Sequence, residues 1–288
     1  MRKNSSSGEP KYSFWEHLEV LRWTIIRILA AVVILFVVAF AAYKVVFSQF
    51  ILSPLSSDFI TYRVLKSLLS SIGLSSNFVP DFKLQLINYE LSGQFMLQVG
   101  VSVMIAVLLA FPYILFELWK FVRPALYENE SKNIGKIFFV SSFLFYLGAS
   151  VSYFIIFPLT IQFLGTYQVS ELIPNQLSIQ SYFNALVVLI LCLGLTFEMP
   201  ILSFFLSKAG IISKSMLVAG RKYALVIILI LAAIITPTTD PFTLTVVAIP
   251  LYALYEVSIW VCKRNEKKVS EKESFNEDSE NLRPKAKN

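Results

Sequence analysis

The stretch that decides the fold is Trp23–Tyr43, WTIIRILAAVVILFVVAFAAY, in which one charged residue, Arg27, interrupts an apolar run. A helix rises about 1.5 Å per residue, so a run of this length covers the roughly 30 Å of a bilayer's hydrocarbon core. A cleaved signal peptide is excluded, because its apolar region is only about 7–15 residues long and a small-residue cleavage site follows it. The stretch is therefore predicted to be a membrane-spanning helix.

The composition of the whole chain agrees with a membrane protein. Of the 288 residues, 56% are hydrophobic and 15% are charged, and the mean hydropathy is +0.66. A water-soluble domain carries about 25% charged residues, so an ordinary soluble protein and a disordered chain are both excluded. One histidine and two cysteines leave little material for a metal site or a disulfide framework. No Gly-rich nucleotide-binding loop is present either, so no cofactor is expected.

Five further apolar segments follow along the chain. Together with the first they predict an all-α integral membrane protein with six transmembrane helices, at about 23–43, 95–118, 137–164, 182–206, 223–235 and 242–262. Residues 1–22 are predicted to form a cytoplasmic head, and residues 44–94 a long extracytoplasmic segment. The tail, 263–288, alternates Lys with Glu and holds almost nothing apolar, so it is predicted to be disordered.

Lysine and arginine residues set the orientation. The head, the connection between spans two and three, and the connection between spans four and five carry four each, and the tail carries eight. The connections after spans three and five carry none, and the segment 44–94 carries four over its whole length. Because basic residues accumulate on the cytoplasmic side, both termini are predicted to be cytoplasmic. Topology thereby accounts for the net charge of +6, which is no sign of nucleic-acid binding.

The fifth span is too short for an ordinary bilayer. Its 13 residues, 223–235, cover roughly 20 Å, which is less than the thickness of the hydrocarbon core. Such a shortfall in length is met by local thinning of the bilayer or by polar residues reaching outward. The turn that follows contains Thr236 and Pro237, and then Asp240 as an N-cap with Pro241 at the first helical position. Two interpretations stay open: a tight capped hairpin, or a locally thin spot with a polar lining at the outer face.

Glu198, Arg27 and Glu256 are ionisable residues that lie inside the predicted spans. Glu198 is about eight residues from the cytoplasmic end of span four, and an ionised carboxylate facing lipid at that depth costs several kcal/mol. It is expected to face a neighbouring helix of the same chain, a partner helix or a gated cavity, and Pro200 favours a kink beside it. Arg27 is expected to snorkel to the cytoplasmic surface, and Glu256 to reach the interface or a neighbouring Lys.

The first cytoplasmic connection, 119–130, reads WKFVRPALYENE. Pro124 holds Arg123 in an extended conformation, which predicts a stiff bend. Glu128 and Glu130 place carboxylates on the side where topology demands positive charge. An Arg-bearing ligand would form charge-assisted, bidentate contacts with them; local pairing with basic residues of the same loop is the alternative.

The head contains the sequence FWEHLEVLR at 14–22. Phe14, Leu18 and Leu21 fall at spacings of three and four, which predicts an amphipathic helix leading into span one. Glu19 lies beside this apolar stripe. The simplest interpretation is a helix at the membrane surface, with His17 as an interfacial polar residue.

These segments together resemble the TatC family, the multispanning receptor of the twin-arginine protein translocase. The resemblance implies a cup-shaped fold of six helices with short fifth and sixth helices. It also implies recognition of twin-arginine signal peptides on folded cargo, and export driven by the proton-motive force. It is carried by motifs that occur in the family's order: HLEVLR (17–22), the 119–130 segment with its RPALY core, FYLG (145–148), FP (157–158), FEMP (197–200), TP (236–237), AIP (248–250) and YE (255–256).

The resemblance also implies roles for individual residues and partners. The family's intramembrane acid falls on Glu198, implicated in contact with a partner helix, and the outer-face proline falls on Pro54. TatA/TatB-type single-span subunits, signal peptides on folded cargo, further copies of the chain and the lipid bilayer of the bacterial inner membrane are the implied partners. The signal-peptide site transfers to the head and the first cytoplasmic loop, at Leu18, Leu21, Arg22, Phe121 and Glu130.

One position departs from the family pattern. The head motif usually has a glutamate where this sequence has Val20, and the nearest acid, Glu19, is one residue early. On a helix that offset turns the carboxylate by about 100°. Either Glu19 substitutes for the family's glutamate, or Glu130 carries more of the recognition. The hypothesis is that Glu130 and Glu19 bind the arginine pair.

Two rival classes fit the sequence less well. A small-solute secondary transporter commonly has internal repeats and broken helices, and no repeat relates the two halves of this chain. An intramembrane protease needs paired aspartates, a Ser–His pair or metal ligands. His17 lies outside the spans, Asp240 is the only aspartate near one, and Cys192 and Cys262 lie on different helices. The chain is therefore not expected to be an enzyme.

Overall fold

Helices account for most of the computed structural model, which describes residues 14–56, 58–71, 85–122, 134–168, 170, 175–236 and 240–281. The chain divides into two compact units. The first contains Met1–Val46 and Gln98–Ser142, and the second contains Phe47–Leu97 and Phe143–Asn288.

The elements follow one another along the chain with few interruptions. The bounds are α1 Phe14–Ala41, α2 Tyr43–Val46, a π-helical turn Phe47–Ile51, a 3-10 turn Ser53–Leu55, α3 Ile60–Ser71, β1 Leu86–Ile87, α4 Gly93–Val122, α5 Ile134–Val151, a second π-helical turn Ser152–Ile156, α6 Phe157–Thr166, β2 Leu177–Ser178, α7 Ile179–Thr196, α8 Met199–Lys208, α9 Lys214–Ala219, α10 Arg221–Ile235 and α11 Pro241–Asn281.

Five helical stretches among the described residues are long and apolar enough to cross a membrane. They confirm five of the predicted spans, and α10 supplies the sixth apolar helix. At 15 residues, or about 22 Å, α10 is short, as the sequence predicts for the fifth span. The five long stretches are Trp15–Ala41, Gly93–Phe121, Ile137–Thr166, Ile179–Lys208 and Pro241–Lys263.

Both ends of the described chain differ in extent from the predicted boundaries. The head helix and the first span form one unbroken helix, α1, because no glycine or proline interrupts Phe14–Ala41. At the other end, α11 continues past Cys262 to Asn281, so the expectation of a disordered tail is wrong for 263–281. Opposite charges recur three to four residues apart in that sequence, a spacing that supports an exposed helix.

The described residues also include one short sheet, which the all-α prediction does not contain. Strands β1 and β2 pair in parallel, with Leu86 opposite Leu177 and Ile87 opposite Ser178. Both strands belong to the second unit, and β2 leads directly into α7. The pairing joins the segment 44–94, which is predicted to be extracytoplasmic, to the start of the fourth span.

In the second unit, two glycines allow α5 and α7 to pack closely through aromatic rings. A Cβ atom on Gly194 would lie 2.7 Å from Cε2 of Phe145, and one on Gly148 would lie 2.6 Å from Cγ of Phe197. The ring of Phe145 therefore packs against Gly194, and the ring of Phe197 packs against Gly148. Small residues at helix contacts commonly permit such close approach in membranes.

The fourth span breaks at the position where the sequence predicts a kink. Helix α7 ends at Thr196 and α8 begins at Met199, with Pro200 in its first turn. Proline has no backbone N–H to donate to the carbonyl four residues earlier. The Glu198 N–H donates instead to the Leu195 carbonyl at 3.1 Å, a tighter turn. The predicted kink is confirmed.

Candidate functional site

The N-terminal part of α1 carries the predicted head residues on an open surface of the first unit. The side chains of Leu18, Glu19 and Arg22 are exposed, and Leu21 is half-buried. Leu18 and Leu21 are three residues apart and so lie on neighbouring positions of one helical face. The surface offers apolar contact and, at Glu19, a carboxylate open to solvent.

The head meets the end of α4 through a ring contact. The rings of His17 and Phe121 stack with centroids 4.3 Å apart and an interplanar angle of 24°. This places Phe121 beside the head residues, as the prediction of one composite site requires. The interpretation of His17 as an interfacial polar residue stays a prediction, and its ring packs on an aromatic side chain. The stack is a point at which two elements far apart in sequence are joined.

Two residues assigned to this part of the site, Glu130 and Pro124, lie outside the described residues, in the gap 123–133. The pairing of Glu130 with Glu19 around an arginine doublet therefore stays a prediction. The described part of the site comprises the exposed head of α1 and the last turn of α4.

An ion pair lies deeper in the first unit. Nε and Nη2 of Arg27 are each 2.9 Å from Oε2 of Glu117, and Nη2 also donates to the Thr24 hydroxyl at 3.3 Å. The Tyr113 hydroxyl donates to the other carboxylate oxygen, Oε1, at 3.3 Å. Glu117 is buried and lies on α4 four residues, or about 6 Å, before Phe121. Four side chains thus form a polar cluster about one helical turn from the ring stack.

This cluster corrects the expectation for Arg27 and adds Glu117, a residue that the sequence analysis missed. Arg27 was expected to snorkel to the cytoplasmic surface, but it pairs with Glu117 because a buried carboxylate is stable only with a partner. Glu117 could have been found from the sequence, because it is a carboxylate inside the predicted span 95–118. Ionisable residues inside spans are rare and usually functional.

Glu198 lies at the break between α7 and α8 in the second unit. It is 8% exposed, and its carbonyl accepts hydrogen bonds from the Ile201 and Leu202 N–H groups, both at 3.0 Å. The kink therefore places the carboxyl group among protein side chains, as the sequence analysis expects for an acid at that depth. Whether a partner helix contacts it is a separate matter and stays a prediction.

Pro54 lies in a segment whose backbone carbonyls are bound by tyrosines. The Tyr62 hydroxyl is 3.2 Å from the Pro54 carbonyl and 3.0 Å from that of Pro158. The Tyr182 hydroxyl donates to the Ile51 carbonyl at 2.6 Å, and the Tyr153 hydroxyl donates to the Phe50 carbonyl at 2.7 Å. The π-helical and 3-10 turns leave carbonyls without ordinary helical partners, and these hydroxyls satisfy them.

The burial of these tyrosines shows how firmly the segment is held. Tyr62 and Tyr182 are almost completely buried, and burial raises the pKa of the Tyr62 hydroxyl because its charged form is disfavoured away from water. The Tyr62 hydroxyl therefore remains a donor at any physiological pH. The family resemblance singled out Pro54, but the sequence analysis missed the tyrosines, because their partners are up to 131 residues away along the chain.

The turn between α10 and α11 confirms the predicted cap. Oδ2 of Asp240 accepts a hydrogen bond from the Thr243 N–H at 2.7 Å, and Pro241 is the first residue of α11. Thr236 is buried and ends α10, with its N–H donating to the Ala232 carbonyl at 2.8 Å. Pro237 lies outside the described residues.

Glu256 has a partner other than the expected one. Nη2 of Arg221 lies 2.8 Å from its Oε2, and the Tyr252 hydroxyl donates to its Oε1 at 3.2 Å. The basic partner is therefore Arg221 and not a neighbouring Lys, and the position of Glu256 at the interface stays a prediction. The pair joins α10 to α11 on an exposed surface, because the packing of the two helices brings Arg221 within reach.

Comparison with known proteins identifies relatives over most of the chain. The family model described as Sec-independent protein translocase protein (TatC) matches residues 16–250. The protein named Sec-independent protein translocase protein TatC from Blattabacterium sp. subsp. Periplaneta americana is 37% identical over 261 residues, which cover 90% of this chain and 97% of that protein. The protein of the same name from Magnetococcus marinus is 32% identical over 271 residues, covering 93% and 90%.

A solved structure agrees with these relatives. The crystal structure described as the twin arginine translocase receptor TatC matches with a TM-score of 0.69 and 32% sequence identity. The match covers 87% of this chain and 100% of that one.

Proposed function

Because the chain belongs to the TatC family and is a core subunit of the twin-arginine translocase, we propose that it is the subunit that binds twin-arginine signal peptides on folded cargo. It then nucleates the export complex, which the proton-motive force drives. The chain is an integral membrane protein and a transport component. The finer proposals concern its site, its partners and its orientation.

The observation that carries the proposal is the contact between His17 and Phe121. It holds the exposed head of α1 beside the last turn of α4, the two segments that the signal peptide would contact. Glu19 and Glu130 would pair with the two arginines, and each charge-assisted bond contributes roughly 1.5–3 kcal/mol. Leu18 and Leu21 would receive the apolar residues that follow the arginines.

Binding of a synthetic twin-arginine signal peptide to the purified protein tests this proposal. Glu19→Gln and Glu130→Gln should each weaken binding about tenfold, since each removes one charge-assisted contact. Glu16→Gln is the matched control, because Glu16 is an exposed acid on the same helix. Affinity that is unchanged in both Glu19→Gln and Glu130→Gln would exclude the proposed pairing, and an equal loss in the control would point to surface charge alone.

We further propose that Glu198 contacts a polar residue on the helix of a TatA/TatB-type single-span partner. Its support is the position of a buried acid at a break in the fourth span, where the backbone departs from a regular helix. Copurification of such a partner with Glu198→Gln and Glu198→Ala measures the contact. Glutamine keeps hydrogen-bonding capacity and should retain part of the partner, whereas alanine should lose it. Full retention by both variants contradicts the role.

The proposed location is the bacterial inner membrane, with both termini in the cytoplasm and with further copies of the chain in the complex. The distribution of lysine and arginine supports this orientation. Single cysteines at exposed Ser67 and Ser215, in a background lacking Cys192 and Cys262, can be labelled with a membrane-impermeant maleimide in intact cells. Ser67→Cys should react and Ser215→Cys should not; the reverse pattern excludes the proposed orientation.

A further inference from the structure

An open cavity of about 540 Å³ lies in the second unit, beside the segment that contains Pro54. Its walls come from the first π-helical and 3-10 turns, from the start of α3 and from the second π-helical turn. The Thr61 hydroxyl donates to the Phe154 carbonyl, which ties α3 to the second of these turns. The volume lies within the range of about 300–1,000 Å³ that small-molecule sites occupy.

Two opposite charges line the cavity without pairing with each other. Nε of Arg63 donates to the Asp58 carbonyl at 2.7 Å, which fixes the guanidinium, and the Asp58 N–H donates to the Ser56 hydroxyl at 3.3 Å. Among the described residues, no salt bridge involves the Asp58 carboxylate or the Arg63 guanidinium. One anionic and one cationic group therefore border the same space, and the cationic group is held by its hydrogen bond to a backbone carbonyl.

Aromatic rings form the rest of the wall. Phe50 and Tyr153 stack with centroids 4.1 Å apart and an interplanar angle of 3°. Phe59 lies edge-on to Tyr153 at 5.6 Å and stacks on Phe154 at 5.9 Å. The rings buttress one another, and the Tyr153 hydroxyl is bonded to the Phe50 carbonyl. The cavity is thus preformed rather than assembled by its ligand.

Helix α3 indicates what surrounds the cavity. Ile60, Val64 and Leu68 are spaced four residues apart and are 54%, 53% and 55% exposed, so they form one apolar stripe that the described part of the chain leaves uncovered. A helix with such a stripe and basic residues beside it lies in the plane of a membrane interface. Ile60 also lines the cavity. With α3 in that plane, the cavity would open at the level of the lipid headgroups.

We propose that this cavity holds the headgroup of a zwitterionic phospholipid with a primary ammonium, phosphatidylethanolamine. Arg63 binds the phosphate, since a guanidinium matches phosphate oxygens through two parallel hydrogen bonds. Asp58 accepts hydrogen bonds from the ammonium, and the aromatic wall with Ile60 contacts the start of the acyl chains. The apolar stripe of α3 favours a lipid over a soluble zwitterion. This site is additional to signal-peptide recognition and does not depend on it.

Native mass spectrometry of the full chain, released from detergent with equal amounts of three lipids, tests the proposal. The wild-type protein should retain phosphatidylethanolamine about tenfold more than phosphatidylglycerol, which lacks the ammonium, and more than phosphatidylcholine, whose quaternary group donates no hydrogen bond. Arg63→Gln should lower retention of all three lipids about tenfold, because all carry the phosphate. Asp58→Asn should abolish the preference over phosphatidylglycerol.

Two further variants separate this site from general surface effects. Lys66→Gln removes a positive charge from the same helix outside the cavity and should leave retention unchanged. Gln49→Trp narrows the cavity while keeping both charges and should displace the lipid; its thermal unfolding midpoint shows whether the fold is intact. The proposal is overturned by equal retention of the three lipids in the wild type, by an equal loss in Lys66→Gln, or by full retention in Gln49→Trp. Glycerophosphoethanolamine carries the same headgroup without acyl chains, and retention of it as strong as that of the lipid would also overturn the proposal, since the ligand would then be a soluble zwitterion.

Discussion

Breaking the ion pair between Arg27 and Glu117 should destabilise the protein more than breaking the pair between Arg221 and Glu256. The two pairs have nearly the same length, 2.9 and 2.8 Å, but they differ in exposure. The side chains of Arg27 and Glu117 are 39% and 4% exposed, whereas those of Arg221 and Glu256 are 47% and 36% exposed. The comparison therefore isolates the effect of burying the carboxylate.

The magnitudes follow from what each variant leaves behind. Removing one partner of a fully buried pair costs about 3–5 kcal/mol, because an uncompensated charge remains. Arg27→Gln leaves the Tyr113 hydroxyl and a glutamine amide as donors to the Glu117 carboxylate, which offsets part of that cost, so it should lower the free energy of unfolding by about 2 kcal/mol. Glu117→Gln keeps an acceptor for Arg27 and Tyr113 and should cost about 1 kcal/mol. Arg221→Gln should cost about 0–1 kcal/mol.

The double variant Arg27→Gln/Glu117→Gln provides the decisive comparison. Because it leaves no buried carboxylate, it should recover about 1 kcal/mol relative to Arg27→Gln alone. Denaturant titration of the purified protein in detergent, followed by tryptophan fluorescence, measures all four variants. The reasoning fails if Arg27→Gln is no more destabilising than Arg221→Gln, or if the double variant is less stable than Arg27→Gln.

Substitutions at three other positions test the packing and capping of the second unit by the same titration. Gly194→Ala should cost about 1–3 kcal/mol, because its Cβ would meet the buried ring of Phe145 at 2.7 Å; an unchanged midpoint would mean that the ring moves aside. Tyr182→Phe should cost about 1–3 kcal/mol by leaving the Ile51 carbonyl without its donor, and a neutral result would show that another group supplies one. Asp240→Ala should cost about 1 kcal/mol and Asp240→Asn much less; equal costs would contradict the cap.

Much of the fold is encoded locally and could therefore be predicted from the sequence. The long spans follow from apolar runs, and the short α10 follows from the length of one such run. The break beside Glu198 follows from the missing N–H of Pro200, and the start of α11 follows from the order Asp240–Pro241. In each case the deciding interaction lies within about one helical turn of the residue that signals it.

Contacts between distant parts of the chain could not be predicted in the same way. Arg27 and Glu117 are 90 residues apart, and Tyr182 and Ile51 are 131 apart. Hydropathy shows that a charged or polar group needs a partner but does not say which one it finds. The helix beyond Cys262 was missed for a different reason, since the low hydrophobicity of the tail outweighed its helix-compatible charge spacing.

The proposed recognition site and the proposed partner contact belong to different compact units. Glu19 and Phe121 lie in the first unit, and Glu198 lies in the second. Substitutions of residues that share no interaction partner are expected to act independently. Glu198→Gln should therefore lower partner copurification while the affinity for a twin-arginine peptide stays within about twofold. Glu19→Gln should lower the affinity for the peptide while partner copurification is retained.

Any coupling between the two sites must be reciprocal, because binding free energies are linked. If a bound signal peptide raises the affinity for a TatA/TatB-type partner by some factor, the partner must raise the affinity for the peptide by the same factor. Titration of each ligand in the presence and absence of the other measures both factors in the wild-type protein. A Glu198→Gln variant that loses both activities equally would contradict the separation, unless its free energy of unfolding had also fallen, which the denaturant titration reveals.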